Sequence, residues 1–192
     1  GAFIITGYTL LLVLSFVGSI LEREPIVAFL RWPGIFLAMA TAIYTAFLLG
    51  QAKGRDLWQN ALLPANFLAQ AALAGAAGLL LLTLLFDLSS NDLQWLRLVF
   101  GLSLGAHLFL GLSELFMPHV TEEAARAARN MTGGNLALHY WGGLTLSFIA
   151  LSLAVLTSEL EPWLGIAALL ALVGLLLYEH AYIQAGQSVP LS

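Results

Sequence analysis

No cysteine occurs anywhere in the 192 residues, so the chain makes no disulfide, thiolate-bound zinc or iron–sulfur cluster of its own. Charge is nearly as scarce: 9% of residues are Asp, Glu, Lys or Arg, against roughly 25% in a soluble domain. With 60% hydrophobic residues and a mean hydropathy of +0.90, that shortage of polar surface excludes a water-soluble monomer. Seven bases against eleven acids give a net charge of −4, so no basic field exists to attract nucleic acid. Missing too are a Walker loop, a Ser-His-Asp grouping and a glycine-rich dinucleotide fingerprint. The opening GAFIITGYTLLLVLSFVGSI has neither a basic leader nor a small-residue cleavage site, so it reads as a membrane span rather than a signal peptide. An initiating Met is also absent, which fits part of a longer protein.

What the sequence has in quantity is long apolar runs. Crossing about 30 Å of hydrocarbon takes about 20 helical residues, with every backbone polar group satisfied inside the segment. Six stretches qualify: Gly1–Leu21, Trp32–Gln51, Leu63–Phe86, Leu93–Met117, Tyr140–Ser158 and Trp163–Ile183. They predict an all-α polytopic transmembrane bundle, a single membrane domain over 1–192; continuous apolarity excludes a β-barrel, whose strands alternate. With six crossings the joints alternate between sides. Lys53, Arg55, Arg126 and Arg129 share a side with the C-terminus, which the positive-inside rule makes cytoplasmic. The other side has Arg23 and Arg31 among Glu22, Glu24, Asp87, Asp92, Glu159 and Glu161. Trp32, Trp58, Trp95, Trp141 and Trp163 all fall near predicted span ends, as an interfacial aromatic belt would.

The joint 119–138 contains TEEAARAARNMTGG: an N-capping Thr121, acids in the first turn, bases expected in the last, and a glycine stop. It predicts a short amphipathic helix at the cytoplasmic surface, either a solvated connector or a docking element. Within the spans, Ala71 with Gly75 and Ala74 with Gly78 are small residues at spacing four, expected to let a neighbouring backbone approach. Ionisable groups at depth are costly unless paired, hydrated or turned inward. His107 lies mid-span and Glu114 seven residues on, which puts both on one helical face with Ser103 and Gly111. This stripe could pass protons along a water-filled cavity, or simply bond to neighbouring helices. Thr41, Tyr44, Thr45 and Gln51 form a weaker stripe on the second span, and Asn66 and Gln70 open the third. A b-type haem needs two axial ligands at similar depth. Of His107, His119, His139 and His180 only the first is deep, so a buried bis-histidine haem is not expected.

Three motifs in order resemble the NrfD/PsrC family of integral membrane subunits: YTAFLLGQAKGRDLWQNALLP at 44–64, HVTEEAARAARNMTGG at 119–134, and YEHAYIQAGQSVPLS at 178–192. The opening GAFIITGYTLLLVL looks like the third helix of that family, whose shorter members have eight; the resemblance thus implies that this chain lacks the first two. It also implies that 1–86 is the rest of a first, quinone-site bundle and 93–183 a second. The implied role is an anchor in a bacterial-type inner membrane, itself without haem or metal, that binds menaquinone or ubiquinone and exchanges electrons with an iron–sulfur (ferredoxin-like) subunit of a molybdopterin-type or cytochrome complex. That partner is expected on the outer face, at the acidic, Trp-bearing joints Glu22–Trp32 and Asp87–Trp95. Tyr44, Gln51, Arg31 and Asn66 are the candidate quinone contacts, and His107 and Glu114 the candidate proton carriers, on a face that resembles a proposed proton route in the family. Two other readings stay open: a purely structural anchor, and a proton or solute transporter, for which no internal repeat is evident.

Overall fold

The structure, a computed structural model, describes every residue except Asp87, Val120, 157–160 and 190–192, and the side chains of Glu161 and Pro162. In chain order it contains α1 (Ala2–Ile20), α2 (Glu24–Gly50), a 3₁₀ turn (Asp56–Gln59), α3 (Leu63–Leu82), α4 (Ser90–Ser113), α5 (Glu122–Gly133), α6 (Ala137–Leu156) and α7 (Glu161–Gln187). Among the described residues there is no strand. All the helices but α5 are long and apolar enough to cross a membrane, so the predicted six-span all-α bundle is the observed architecture. The helices α3, α4, α6 and α7 close a ring in which each touches two others, and α1 packs on α2, which joins the ring through α3.

The core of that ring has two levels. Toward the side bearing the 3₁₀ turn, Trp58, Met131, Tyr140, Leu144, Tyr178 and Tyr182 pack together; toward the other side, Leu73, Leu80, Phe100, Leu104, Leu164 and Ala171 do. The hairpin α1–α2 is different: Phe3, Phe16, Phe29 and Phe47 all point outward, as side chains facing acyl tails or other helices would.

Several boundaries differ from expectation. The second helix begins at Glu24, not Trp32, because Pro25 occupies a first-turn position where its missing N–H costs nothing, and the helix then runs through Pro33. Before it, α1 ends in a Schellman motif, with Glu22 N–H on Ser19 O and Arg23 N–H on Gly18 O; Glu22 takes the left-handed conformation, φ 54°, that glycine usually fills. The third helix stops at Leu82, four residues before the predicted end. The predicted ends of the fifth span and of the joint before Trp163 fall partly on 157–160, outside the described residues.

Two expectations about small and aromatic residues are corrected. A Cβ on Gly75 or Gly78 would meet nothing, so those glycines do not mediate a close approach. The close crossing is between α6 and α7. A Cβ on Gly143 would lie 2.7 Å from Gly174 O, and one on Gly174 would lie 2.8 Å from both Gly143 O and Ser147 Oγ. Trp95, Trp141 and Trp163 are exposed near helix N-termini, but Trp32 lies two turns into α2, and Trp58 is buried. Trp58 belongs to the core rather than the belt: its indole packs against Gly186, where a Cβ would collide with it.

Candidate functional site

The sequence from Ala52 to Ala61 holds most of the polar groups of one joint, and beside local bonds such as Gln59 Nε2 to Gly50 O it makes several contacts with distant parts of the chain. Arg55 Nη1 donates to the carbonyls of Gly186, Gln187 and Val189 at 3.2, 3.1 and 2.8 Å, satisfying groups that the end of α7 leaves without helical partners. Tyr182 donates its hydroxyl to Leu57 O at 3.2 Å. Asp56 accepts from Thr121 Oγ1 at 2.6 Å, and the same Thr121 oxygen accepts from Ala124 N at 3.1 Å. Thr121 is therefore the predicted N-cap of α5 and also a tie between two joints. The bases of α5 fall mid-helix rather than in its last turn, and Arg126 pairs with Glu122 at 3.3 Å on the exposed side.

Between these ties lies a cavity of about 480 Å³, bounded by Leu57, Asn60, Ala61, Glu114, Met117 and Ala124, with Asp56, His119 and Thr121 at its wall. It forms where α4 stops. Pro118 cannot continue the helix and restricts the residue before it, so α4 ends at Ser113 and leaves Glu114 one residue past its last turn, shorter than the predicted Leu93–Met117. Glu114 is 6% exposed, and its Oε1 accepts from Asn60 Nδ2 at 2.6 Å. Burial pushes the Glu114 carboxyl above its usual range, and the Asn60 bond pulls it part of the way back.

Inward from the cavity the four predicted stripe residues Ser103, His107, Gly111 and Glu114 are all buried in the ring. The gap at Gly111 is filled, not open: a Cβ there would meet Leu144 and the Tyr178 ring. Tyr140 donates its hydroxyl to Gly111 O at 2.7 Å, and Asn66 Nδ2 donates to the Tyr178 hydroxyl at 3.4 Å. His107 is fully buried, edge-on to Tyr178 with ring centroids 4.8 Å apart, and does not reach the wall of the Glu114 cavity. Both His107 ring nitrogens, Asn66 Oδ1, Gln70 Oε1 and Ser147 Oγ are buried without a hydrogen-bond partner. Buried polar atoms are normally satisfied, so α3, α4 and α6 carry an unusual series of unfilled polar positions into the apolar bundle.

The other predicted site residues are placed apart. Tyr44 on α2 and Gln51, the residue that caps its C-terminal end, share a face; Tyr44 is half-buried and Gln51 exposed at a groove lined also by Trp58 and Asn60. Arg31 is exposed about 20 Å back along the same helix, from thirteen residues of rise. Asn66 is enclosed in the ring with Tyr178, so the four quinone candidates form no single ring-binding pocket among the described residues. Sequence reasoning missed Asn60, Asp56 and Tyr178, and also the contact of His139 with His180, whose rings lie 4.9 Å apart on α6 and α7. The signal for Tyr178 and Tyr140 was present, since each places a hydroxyl within a largely apolar run.

Six long apolar helices, four of them closed into a ring, define a polytopic membrane protein, and its family follows from comparison with known proteins. The family model described as "Polysulphide reductase, NrfD" matches residues 4–190, and the chain belongs to this family. Among curated proteins it is similar to the C subunit of the polysulfide reductase of Wolinella succinogenes, 29% identical over an alignment covering 79% of this chain and 51% of that protein. The chain thus spans about half the length of the curated relative it matches. No solved structure matches the chain.

Proposed function

We propose that this chain is a membrane subunit of a multisubunit oxidoreductase that interacts with quinone or quinol, exchanges electrons with an iron–sulfur subunit docked on the outer face, and offers protons a route through the ring. Family membership and the similarity to a polysulfide reductase C subunit support the redox assignment. The observation that carries the proton role is Glu114: a buried carboxyl on a cavity at the mouth of the ring, beside the joint that bears Lys53 and Arg55.

A bound quinone supplies a couple of two electrons and two protons. The chain's own residues divide the remaining work. Glu114 exchanges protons with the cavity, where Asp56 and His119 share the wall. His107 and the partnerless atoms Asn66 Oδ1, Gln70 Oε1 and Ser147 Oγ form the inner stations, reached past the Tyr178 ring. Gln51 is open to a headgroup at the C-terminal end of α2, with Tyr44 two turns back and half-buried against Gly1, while Arg31 and Asn66 do not join them. The exposed acids Glu22, Glu24 and Asp92, with Trp32 and Trp95, offer the docking face for the iron–sulfur partner and its molybdopterin-type or cytochrome complex.

In the purified complex, Glu114→Gln is expected to leave assembly and bound quinone unchanged while slowing quinol turnover on the order of a hundredfold, the usual scale for a lost proton-transfer group. Unchanged turnover removes Glu114 from the route. A structural anchor is the second reading, favoured by the dispersal of the four quinone candidates. It predicts that lipid extracts of the complex contain no near-stoichiometric quinone held by this subunit, and that changes at His107 or Glu114 alter stability alone.

A further inference from the structure

The contacts of Asn60 are unusual in that both ends of its side-chain amide are committed, and in one sense only. Its Oδ1 accepts from Leu62 N at 2.8 Å, an Asx turn immediately ahead of α3. A backbone N–H can only donate, so this bond fixes which end of the amide is oxygen and forces Nδ2 to the opposite side. There Nδ2 donates to Glu114 Oε1 at 2.6 Å and approaches Met117 Sδ at 3.8 Å, both at the end of α4. The joint that holds Asn60 is itself anchored, by Arg55 on the carbonyls ending α7 and by Asp56 on Thr121. The amide is therefore presented to the carboxyl by a rigid support rather than by a free loop.

We infer that Asn60 is the positioning residue for Glu114: held by the Leu62 N–H, it fixes the carboxyl at the cavity wall and sets the proton affinity with which Glu114 works. Use of that affinity in turnover rests on the function proposed above; the positioning itself does not. The other titratable groups around the carboxyl are Asp56 and His119 on the cavity wall and the hydroxyls of Tyr140, Tyr178 and Tyr182 within electrostatic reach. Among the described residues, Asn60 alone is hydrogen-bonded to the Glu114 carboxyl.

Asn60→Asp separates support from tuning. An Asp oxygen still accepts the Leu62 N–H, but the group facing Glu114 changes from an amide donor to a second carboxyl. In the full-length subunit within its assembled complex, the Glu114 carboxyl is followed by its infrared C=O band against pH, assigned as the band that Glu114→Gln removes. The variant is expected to raise the titration midpoint by about one pH unit or more, as like charges sharing a site do. Asn60→Ser, which keeps an acceptor for Leu62 but does not reach Glu114, is expected to raise it less and serves if the Asp variant fails to assemble. A midpoint unmoved in an assembled variant overturns the inference. A midpoint that moves while the pH profile of quinol turnover stays in place upholds Asn60 as the positioning residue and instead removes Glu114 from turnover; both moving together upholds both.

Discussion

Arg55 shows how one side chain decides a local structure that composition alone would leave open. In a polar joint an arginine is commonplace, and its value to the positive-inside count says nothing of what it touches. Here one guanidinium nitrogen gathers two carbonyls from the last turn of α7 and a third, from Val189, just beyond it, a site where the helix dipole also favours a cation. Arg55→Ala is expected to lower stability by about 2 kcal/mol, the range of hydrogen bonds to a charged donor, measured as an earlier thermal unfolding transition in detergent. Arg55→Lys should recover only part, because a point charge does not reproduce the planar fork. His107 and Glu114 were legible from sequence, since an imidazole and a carboxyl stand out in an apolar run. Asn60 was not, because an asparagine in a joint is ordinary and only the fold brings it to Glu114.

At the level of elements, the spans were legible because lipid imposes a length and forbids unsatisfied backbone, and the α5 helix was legible from its cap and charge order. Their contacts were harder to read. Small residues at spacing four mark a candidate close approach, but the Gly75 and Gly78 positions face open space while Gly143 and Gly174, on different helices, meet. No pattern within one helix reveals a crossing that needs two. Gly174→Ala is expected to destabilise by about 1–3 kcal/mol through overpacking against Gly143 O and Ser147 Oγ. Gly75→Ala, by contrast, should be neutral or slightly stabilising, since alanine is the better helix former. Equal effects of the two changes on the unfolding midpoint would show that the α6–α7 crossing is not tight.

For the whole molecule, the absence of cysteine makes orientation easy to test. Single-cysteine variants at Arg126 and Asn91, both exposed, lie on joints that the alternation of spans puts on opposite sides. A membrane-impermeant thiol reagent applied to inverted vesicles is expected to label Arg126→Cys and spare Asn91→Cys, and the reverse in intact cells with an opened outer envelope. Labelling of both from one side would overturn the arrangement of six crossings. Fold class and span number follow from hydropathy; the closure of α3, α4, α6 and α7 into a ring does not, because lipid-facing and helix-facing surfaces are equally apolar and hydropathy cannot tell them apart.

The short stretch between α2 and α3 resembles a slack linker by composition, yet it is bonded to the end of α7, to the cap of α5 and to the carboxyl beyond α4. It leaves no hinge at that point. A displacement of the C-terminal end of α2 would therefore be carried by these bonds toward the mouth of the ring rather than absorbed between the two parts of the molecule.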